Sequence, residues 1–301
     1  MRPERVRRAL LPLTGLFAFV IAMALPQATL AAEPHPFTVH DLLAMQRISD
    51  PQVSPDGTRV LFTLRTTDLE GNAGRNDLWL VGADGSGLRQ ITTHKSGDFN
   101  GRWSPDGRSI YFLSTRSGSS QIFRLALDGG EPAQVSDLPV DVSNLEISPD
   151  GKLLGFSMEV FPACGADIDC TKKRLDENEA RQASGKIYDS LFMRHWGTWA
   201  DGRRNHLFVM PTAGGAAVDL MPGFDADAPS KPFGGSEEFT FTPDGKGVVF
   251  SARNVGREEA WSTNFDLFYS PLDVIRDPTG QGPSENDALF NLRLLGTYKL
   301  H

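Results

Sequence analysis

The chain has 301 residues, 40% hydrophobic and 23% charged, with 30 glycines and 20 prolines. This is an ordinary globular composition, rich in turns and long enough for a large core. A net charge of −8 argues against nucleic acid as a partner and says nothing positive about a substrate.

The first segment reads as an export signal. Arg2, Arg5, Arg7 and Arg8 make a positive start, Leu10 to Leu25 is mostly apolar, and Ala28-Thr29-Leu30-Ala31-Ala32 offers small residues for cleavage. Residues 1–32 are therefore expected to be a signal peptide, leaving a periplasmic or secreted protein. A retained membrane anchor is the alternative. The apolar run approaches the roughly 17 residues a short span needs, but Pro12, Thr14 and Gly15 weaken it. Phe37 to Ile48 follows, with Phe37, Leu42, Leu43, Met45 and Ile48 in a partly amphipathic pattern that predicts one short helix.

Next comes a repeated turn. Ser54-Pro55-Asp56-Gly57, Ser104-Pro105-Asp106-Gly107 and Ser148-Pro149-Asp150-Gly151 are copies of one tetrapeptide, and Thr242-Pro243-Asp244-Gly245 changes only the first residue. Proline presets φ for the first corner, aspartate can bond the backbone ahead of it, and glycine supplies the positive φ that closes a hairpin. Unit one runs Val53, the turn, Val60 to Leu64, Leu78 to Val81 and Leu88 to Ile91, four strands of one antiparallel sheet. Unit two repeats the plan with Gly101 to Trp103, Ile110 to Leu113, Gln121 to Leu125 and Ala133 to Val135. Alternation within these strands is weak, as expected of sheets covered on both faces.

Ser54 to Ser104 is 50 residues and Ser104 to Ser148 is 44, but Ser148 to Thr242 is 94. The strand His206 to Met210, its small-residue turn Ala213-Gly214-Gly215, and Val218 to Leu220 account for the long gap. Unit three is complete, with residues 161–204 inserted between its second and third strands. The insertion opens on Cys164 and Cys170, a close pair that in an exported protein predicts a disulfide. Two lone cysteines make a poor metal site, and neither metal nor cofactor is expected. Thr171 to Ser184 is densely charged and predicts a solvated helix, with Lys172–Asp176 and Lys173–Glu177 at pairing distance. An aromatic and basic cluster ends it: Tyr188, Phe192, Arg194, His195, Trp196 and Trp199.

Unit four supplies Phe239 to Phe241, Val248 to Phe250, a loop at Arg257 to Trp261, and a strand from Phe265 to Phe268. Beyond it neither a fifth signature nor a clear fourth strand is legible, so 269–301 is expected to be a divergent or truncated tail. Stacked four-stranded units predict an all-β propeller over 33–268 with one partly helical insertion. Since propellers close with roughly four to eight blades, this one is expected to be incomplete.

At this point the residues resemble a known family. Ser-Pro-Asp-Gly hairpins of this kind are similar to those in the propellers of prolyl-oligopeptidase-type serine peptidases and in TolB. The segment Lys186 to Trp196 resembles type-V dipeptidyl peptidases and their acylaminoacyl-peptidase relatives, as do Asp41 to Pro51 and Arg257 to Trp261. Gly197 departs from the resemblance, standing where an aspartate is expected in a His-Trp-Asp-x-Trp segment. The resemblance implies a propeller that filters and helps bind short peptides for an α/β-hydrolase domain, and a homodimer as one assembly of the intact protein. No Gly-x-Ser-x-Gly elbow occurs in the sequence, so no catalytic residue is assigned and the chain alone is expected to be inactive.

Removing dipeptides requires holding a free α-ammonium group, which makes paired acids worth weighing. Glu237-Glu238 adjoins a strand, where neighbours point to opposite faces. Glu258-Glu259 lies in a loop beside Trp261 and is the better pair. With Arg194, His195 and Trp196, these residues form the candidate peptide-binding set, although surface-loop charge and packing are the simpler reading of each. His206, opening a strand, reads as structural. A different class of function is a TolB-like propeller that binds a partner protein and catalyses nothing.

Overall fold

The computed structural model describes residues 35–272 and, for the backbone, 290–292. The expected signal peptide, and the tail apart from 269–272 and 290–292, lie outside the described residues. The chain divides after Leu42. Helix α1 (Val39–Ala44) is shorter than the expected Phe37 to Ile48. It starts where the Thr38 amide and the Asp41 carboxylate bond each other, 2.7 Å apart. Phe37, Leu42, Met45 and Ile48 are all exposed, so no apolar face extends it.

Arg47 to Val53 is instead strand β1, earlier than the sequence suggests. It is followed by β2 (Arg59–Asp68), β3 (Ala73–Gly82) and β4 (Arg89–Gln90), paired in that order in one antiparallel sheet. The second sheet holds β5 (Asp98–Trp103), β6 (Ser109–Ser114), β7 (Gln121–Ala126) and β8 (Ala133–Gln134). The third begins with β9 (Val142–Ile147) and β10 (Leu153–Val160).

The insertion then supplies α2 (Ile168–Glu179) and the small hairpin β11 (Arg194–His195) with β12 (Thr198–Trp199). The sheet is completed by β13 (Arg204–Pro211) and β14 (Val218–Asp219). The fourth contains β15 (Phe239–Phe241), β16 (Gly247–Ala252), β17 (Asp266–Pro271) and β18 (Phe290–Leu292). Thus β17 runs past the expected limit at Phe268, and a fourth strand that the sequence did not disclose pairs with it.

The four signature turns are built alike. The Ser54 hydroxyl donates to Asp56 at 2.6 Å and accepts from the Arg59 amide at 2.9 Å, while Asp56 accepts the Thr58 amide at 3.0 Å. Ser104 and Asp106, Ser148 and Asp150, and Thr242 and Asp244 repeat the pattern. Gly57, Gly107, Gly151 and Gly245 all have φ between 65° and 71°, which glycine adopts without strain. The Ser54 hydroxyl, the Thr58 amide and the Thr58 hydroxyl hold Asp56 down to about 2. The Ser104 and Thr242 hydroxyls likewise lower Asp106 and Asp244.

Groups lowered in the folded state stabilise it above their unfolded range and lose that contribution as pH falls through the folded value. The thermal midpoint should therefore decline between about pH 4 and about pH 2, less steeply in Asp106→Asn. A midpoint that stays level across that window would show that these bonds do not support the fold.

Period-two alternation explains the continuous burial of the inner strands. Ile110 and Phe112 of β6 pack with Leu61, Leu78 and Leu80 of the first sheet. Tyr111 and Leu113, on the opposite face of β6, pack with Leu154, Phe156 and Phe208 of the third. Leu153, Leu207 and Val209 then meet Phe239, Phe241, Val248, Phe250 and Phe268 of the fourth. Three inter-sheet cores join four sheets, the arrangement of propeller blades. At Gly155 a Cβ would come within 2.9 Å of the Phe241 ring, so only glycine lets these blades approach so closely.

Polar contacts run beneath these cores. Asp50, Asn100 and Asn144 have φ of 50°, 53° and 53°, each four residues before its turn serine and each on the first strand of a blade with a register shift. Asn100 accepts the Leu145 amide at 2.7 Å. Arg102 contacts Asp50, Glu146 and Ser236, so residues from four blades meet at one guanidinium.

Candidate peptide-binding site

Asp167 caps α2 by accepting the Cys170 amide at 3.0 Å, which places the helix start three residues before the expected Thr171. Cys164 and Cys170 are bonded to each other. Ile168 and Leu175 pack against the core between blades two and three, and Thr171 between them is buried. The helix thus has one inward face at i, i+3 and i+7 rather than full solvation, although Lys172 and Asp176 do pair on its exposed side. It ends at Glu179, short of the expected Ser184, with Ala180 as its C-cap.

The chain then turns toward blade four. Arg257 donates to the Asp189 carbonyl at 2.7 Å, tying the insertion to the 3-10 helix Gly256–Ala260. Between them lies a cleft of about 470 Å³ lined by Tyr188, Asp189, Ser190, Leu191, Met193, Arg257, Glu258 and Trp261. Tyr188 stacks on Trp199 with ring centres 5.7 Å apart, and Arg194 covers Trp199 at 5.2 Å. Trp261 is 72% exposed at the cleft wall.

The two adjacent acids have separate fates. Glu259 bonds Arg204 at 3.0 Å and Arg253 at 3.3 Å, so its carboxylate is committed to blade-three and blade-four arginines. Arg204 also engages Asp225 at 3.0 Å and Asp227 at 2.9 Å. Burial pulls Arg204 down, but the carboxylates of Asp227 and Glu259 outweigh it and raise the guanidinium above its usual range. Lys231 bridges Glu159 at 2.7 Å and Asp227 at 3.3 Å, extending the network. Glu258, by contrast, is exposed on the first cleft. Glu238, from the other acidic pair, is spent on the Ser230 amide and hydroxyl at 2.7 and 2.8 Å.

His195 lines a second, smaller cleft of about 110 Å³ with Phe192, Arg204, Asp227 and Glu259, and its ring lies 4.9 Å from that of Phe192. Trp196 lines neither cleft. It occupies the hairpin turn with φ of 45°, is 71% exposed, and meets the equally exposed Phe233 edge to face at 5.2 Å. A Cβ at Gly197 would meet nothing within 4 Å. His206 is buried between Asp219 at 3.0 Å and the Phe224 carbonyl at 2.9 Å, a packing role as expected. Glu258 and Trp261 were legible as candidates, whereas their facing partners Asp189, Leu191 and Met193 were not singled out, although they lie within the Lys186 to Trp196 segment that carries the resemblance.

Four stacked antiparallel sheets with a shared turn define a β-propeller, and residues 44–190 match the family model described as the TolB beta propeller domain. The blades are thus similar to those of the TolB propeller, and the sequence is similar to that of curated dipeptidyl peptidases. It is 30% identical over 236 residues to dipeptidyl-peptidase 5 of Porphyromonas endodontalis, covering 77% of this chain and 33% of that protein. The Porphyromonas gingivalis enzyme of the same name is also 30% identical, over 75% of this chain and 32% of its own length. The chain thus spans about a third of the relatives it matches. Among solved structures, the uncomplexed acylaminoacyl peptidase of Pyrococcus horikoshii aligns with a TM-score of 0.53 at 17% identity, over 82% of this chain and 32% of that one. That likeness concerns the fold.

Proposed function

We propose that this propeller is the peptide-recognising part of an exported dipeptidyl or acylaminoacyl peptidase. It binds the amino-terminal end of short substrates rather than cleaving them. The observation that carries the reading is the cleft between the insertion and blade four, where Glu258 stands open to solvent beside Trp261 while its neighbour Glu259 is tied to two arginines. Asp189 and Glu258 are the two acids among its lining residues, and the one cation there, Arg257, already donates to a backbone carbonyl. This balance favours an ammonium group over a carboxylate.

The test is calorimetric titration of the chain with leucyl-alanyl-glycine and with its N-acetylated form. The free peptide should bind and the acetylated one should bind about tenfold more weakly, a difference of about 1.4 kcal/mol. Glu258→Gln should remove that discrimination. Equal affinity for both peptides in the unaltered chain would defeat the reading.

The exposed Trp196–Phe233 pair favours a second reading, in which the propeller docks a partner protein as a TolB-like platform. Failure of the unaltered chain to bind either peptide, with co-purification of a partner protein that Trp196→Ala abolishes, would move the choice to it.

A further inference from the structure

Resting on the reading of the same cleft as a peptide site, we infer that the Tyr188 hydroxyl is a ligand-binding group. It donates to a backbone carbonyl of a peptide whose first side chain is apolar. Tyr188 lines the cleft, and its hydroxyl is buried with no hydrogen-bond partner. A buried hydroxyl left unpaired costs roughly 1–3 kcal/mol, and such groups in folded proteins call for an explanation. The ring is not idle packing, because it is stacked on Trp199 and so fixed in direction. A ligand that enters the cleft and accepts this bond satisfies a group the protein itself leaves unsatisfied.

The remaining wall defines the side chain that accompanies that carbonyl. Leu191, Met193 and Trp261 are large apolar residues exposed around one cleft that also holds Glu258. An ammonium at Glu258 and a carbonyl at Tyr188 would put the first side chain of a peptide against these three. Aromatic and thioether surfaces of this kind accept apolar groups of varied shape.

The experiment is titration of the full chain with leucyl-alanyl-glycine and glycyl-alanyl-glycine, on the unaltered protein and on Tyr188→Phe and Trp261→Ala. Tyr188→Phe keeps the ring and its stack, and its thermal melt checks that the fold is intact. The inference expects Tyr188→Phe to weaken both peptides five- to tenfold, and Trp261→Ala to weaken the leucyl peptide while sparing the glycyl one. Unchanged affinity in Tyr188→Phe, with acetylation still harmful, would overturn the hydroxyl's role and leave the Glu258 reading standing. Equal affinity for leucyl and glycyl peptides in the unaltered protein would overturn the apolar preference. If neither peptide bound the unaltered protein, both the inference and the reading beneath it would fall. Should Tyr188→Phe not fold, Trp261→Ala, altered at an exposed residue, decides the apolar part alone.

Discussion

Replacing Arg102 by methionine is expected to lower the unfolding free energy by about 3 kcal/mol, read from urea denaturation. Arg102 lies on β5 and its side chain is only 7% exposed. Nη1 meets Asp50 at 2.8 Å, Nε meets Glu146 at 3.0 Å, and Nη2 donates to Ser236 at 3.1 Å. Burial pushes the Glu146 carboxyl up, and the Arg102 charge opposes that shift without cancelling it. Methionine would fill much of the same volume but leave two half-buried carboxylates without their countercharge. Both acids keep some contact with water, which places the loss at the low end for a broken buried pair. The defect should shrink at lower pH as Glu146 takes up a proton. A loss below about 1 kcal/mol would mean that water already neutralises these acids and that the blades do not depend on the contact.

The second large effect is expected at the interface of blades three and four, where Phe250→Ala should cost about 3–5 kcal/mol. Phe250 is 1% exposed, with its ring centre 5.5 Å from Phe268 and 6.2 Å from Phe224. Phe224 and Phe268 touch each other edge to face at 5.0 Å, so alanine opens a cavity against both rings. Val249→Ala, one residue away on the opposite face of β16, is the control and should cost less than about 1.5 kcal/mol. Similar losses at the two positions would show that the shared core does not distinguish the faces.

The blades were readable because each residue of the signature turn has a local reason, and local reasons repeat visibly. Pro105 and Gly107 constrain their own dihedrals, and Asp106 bonds an amide two residues away. The hub is different. Arg102 finds Asp50 52 residues before it and Ser236 134 residues after it, and no window of sequence joins them. One signal was nevertheless present: Asp50, Asn100 and Asn144 stand at the same offset from their turns, and Asp and Asn are the side chains that tolerate positive φ.

The candidate site was half legible for the same reason. The insertion announced itself by breaking the spacing, but not where its end would return. The difference between Glu258 and Glu259 depends on Arg204 and Arg253, one on blade three and one after β16. Strand limits failed where pairing decided them, as at β1 and β17, whose partners extend them past their apolar runs.

The insertion leaves and rejoins blade three through neighbouring rungs of a single ladder. β10 and β13 pair from Leu153 with Pro211 to Val160 with Arg204, without a break in register. The two ends of the excursion are therefore held side by side by the blade itself, at a spacing that does not depend on what lies between them. Lengthening or recomposing the segment between Val160 and Arg204 leaves that spacing alone, and the entropy of closing a longer loop grows only slowly with its length. The propeller thus carries one wall of the cleft as an interchangeable cassette, which can change in length and composition while the blade that carries it stays fixed.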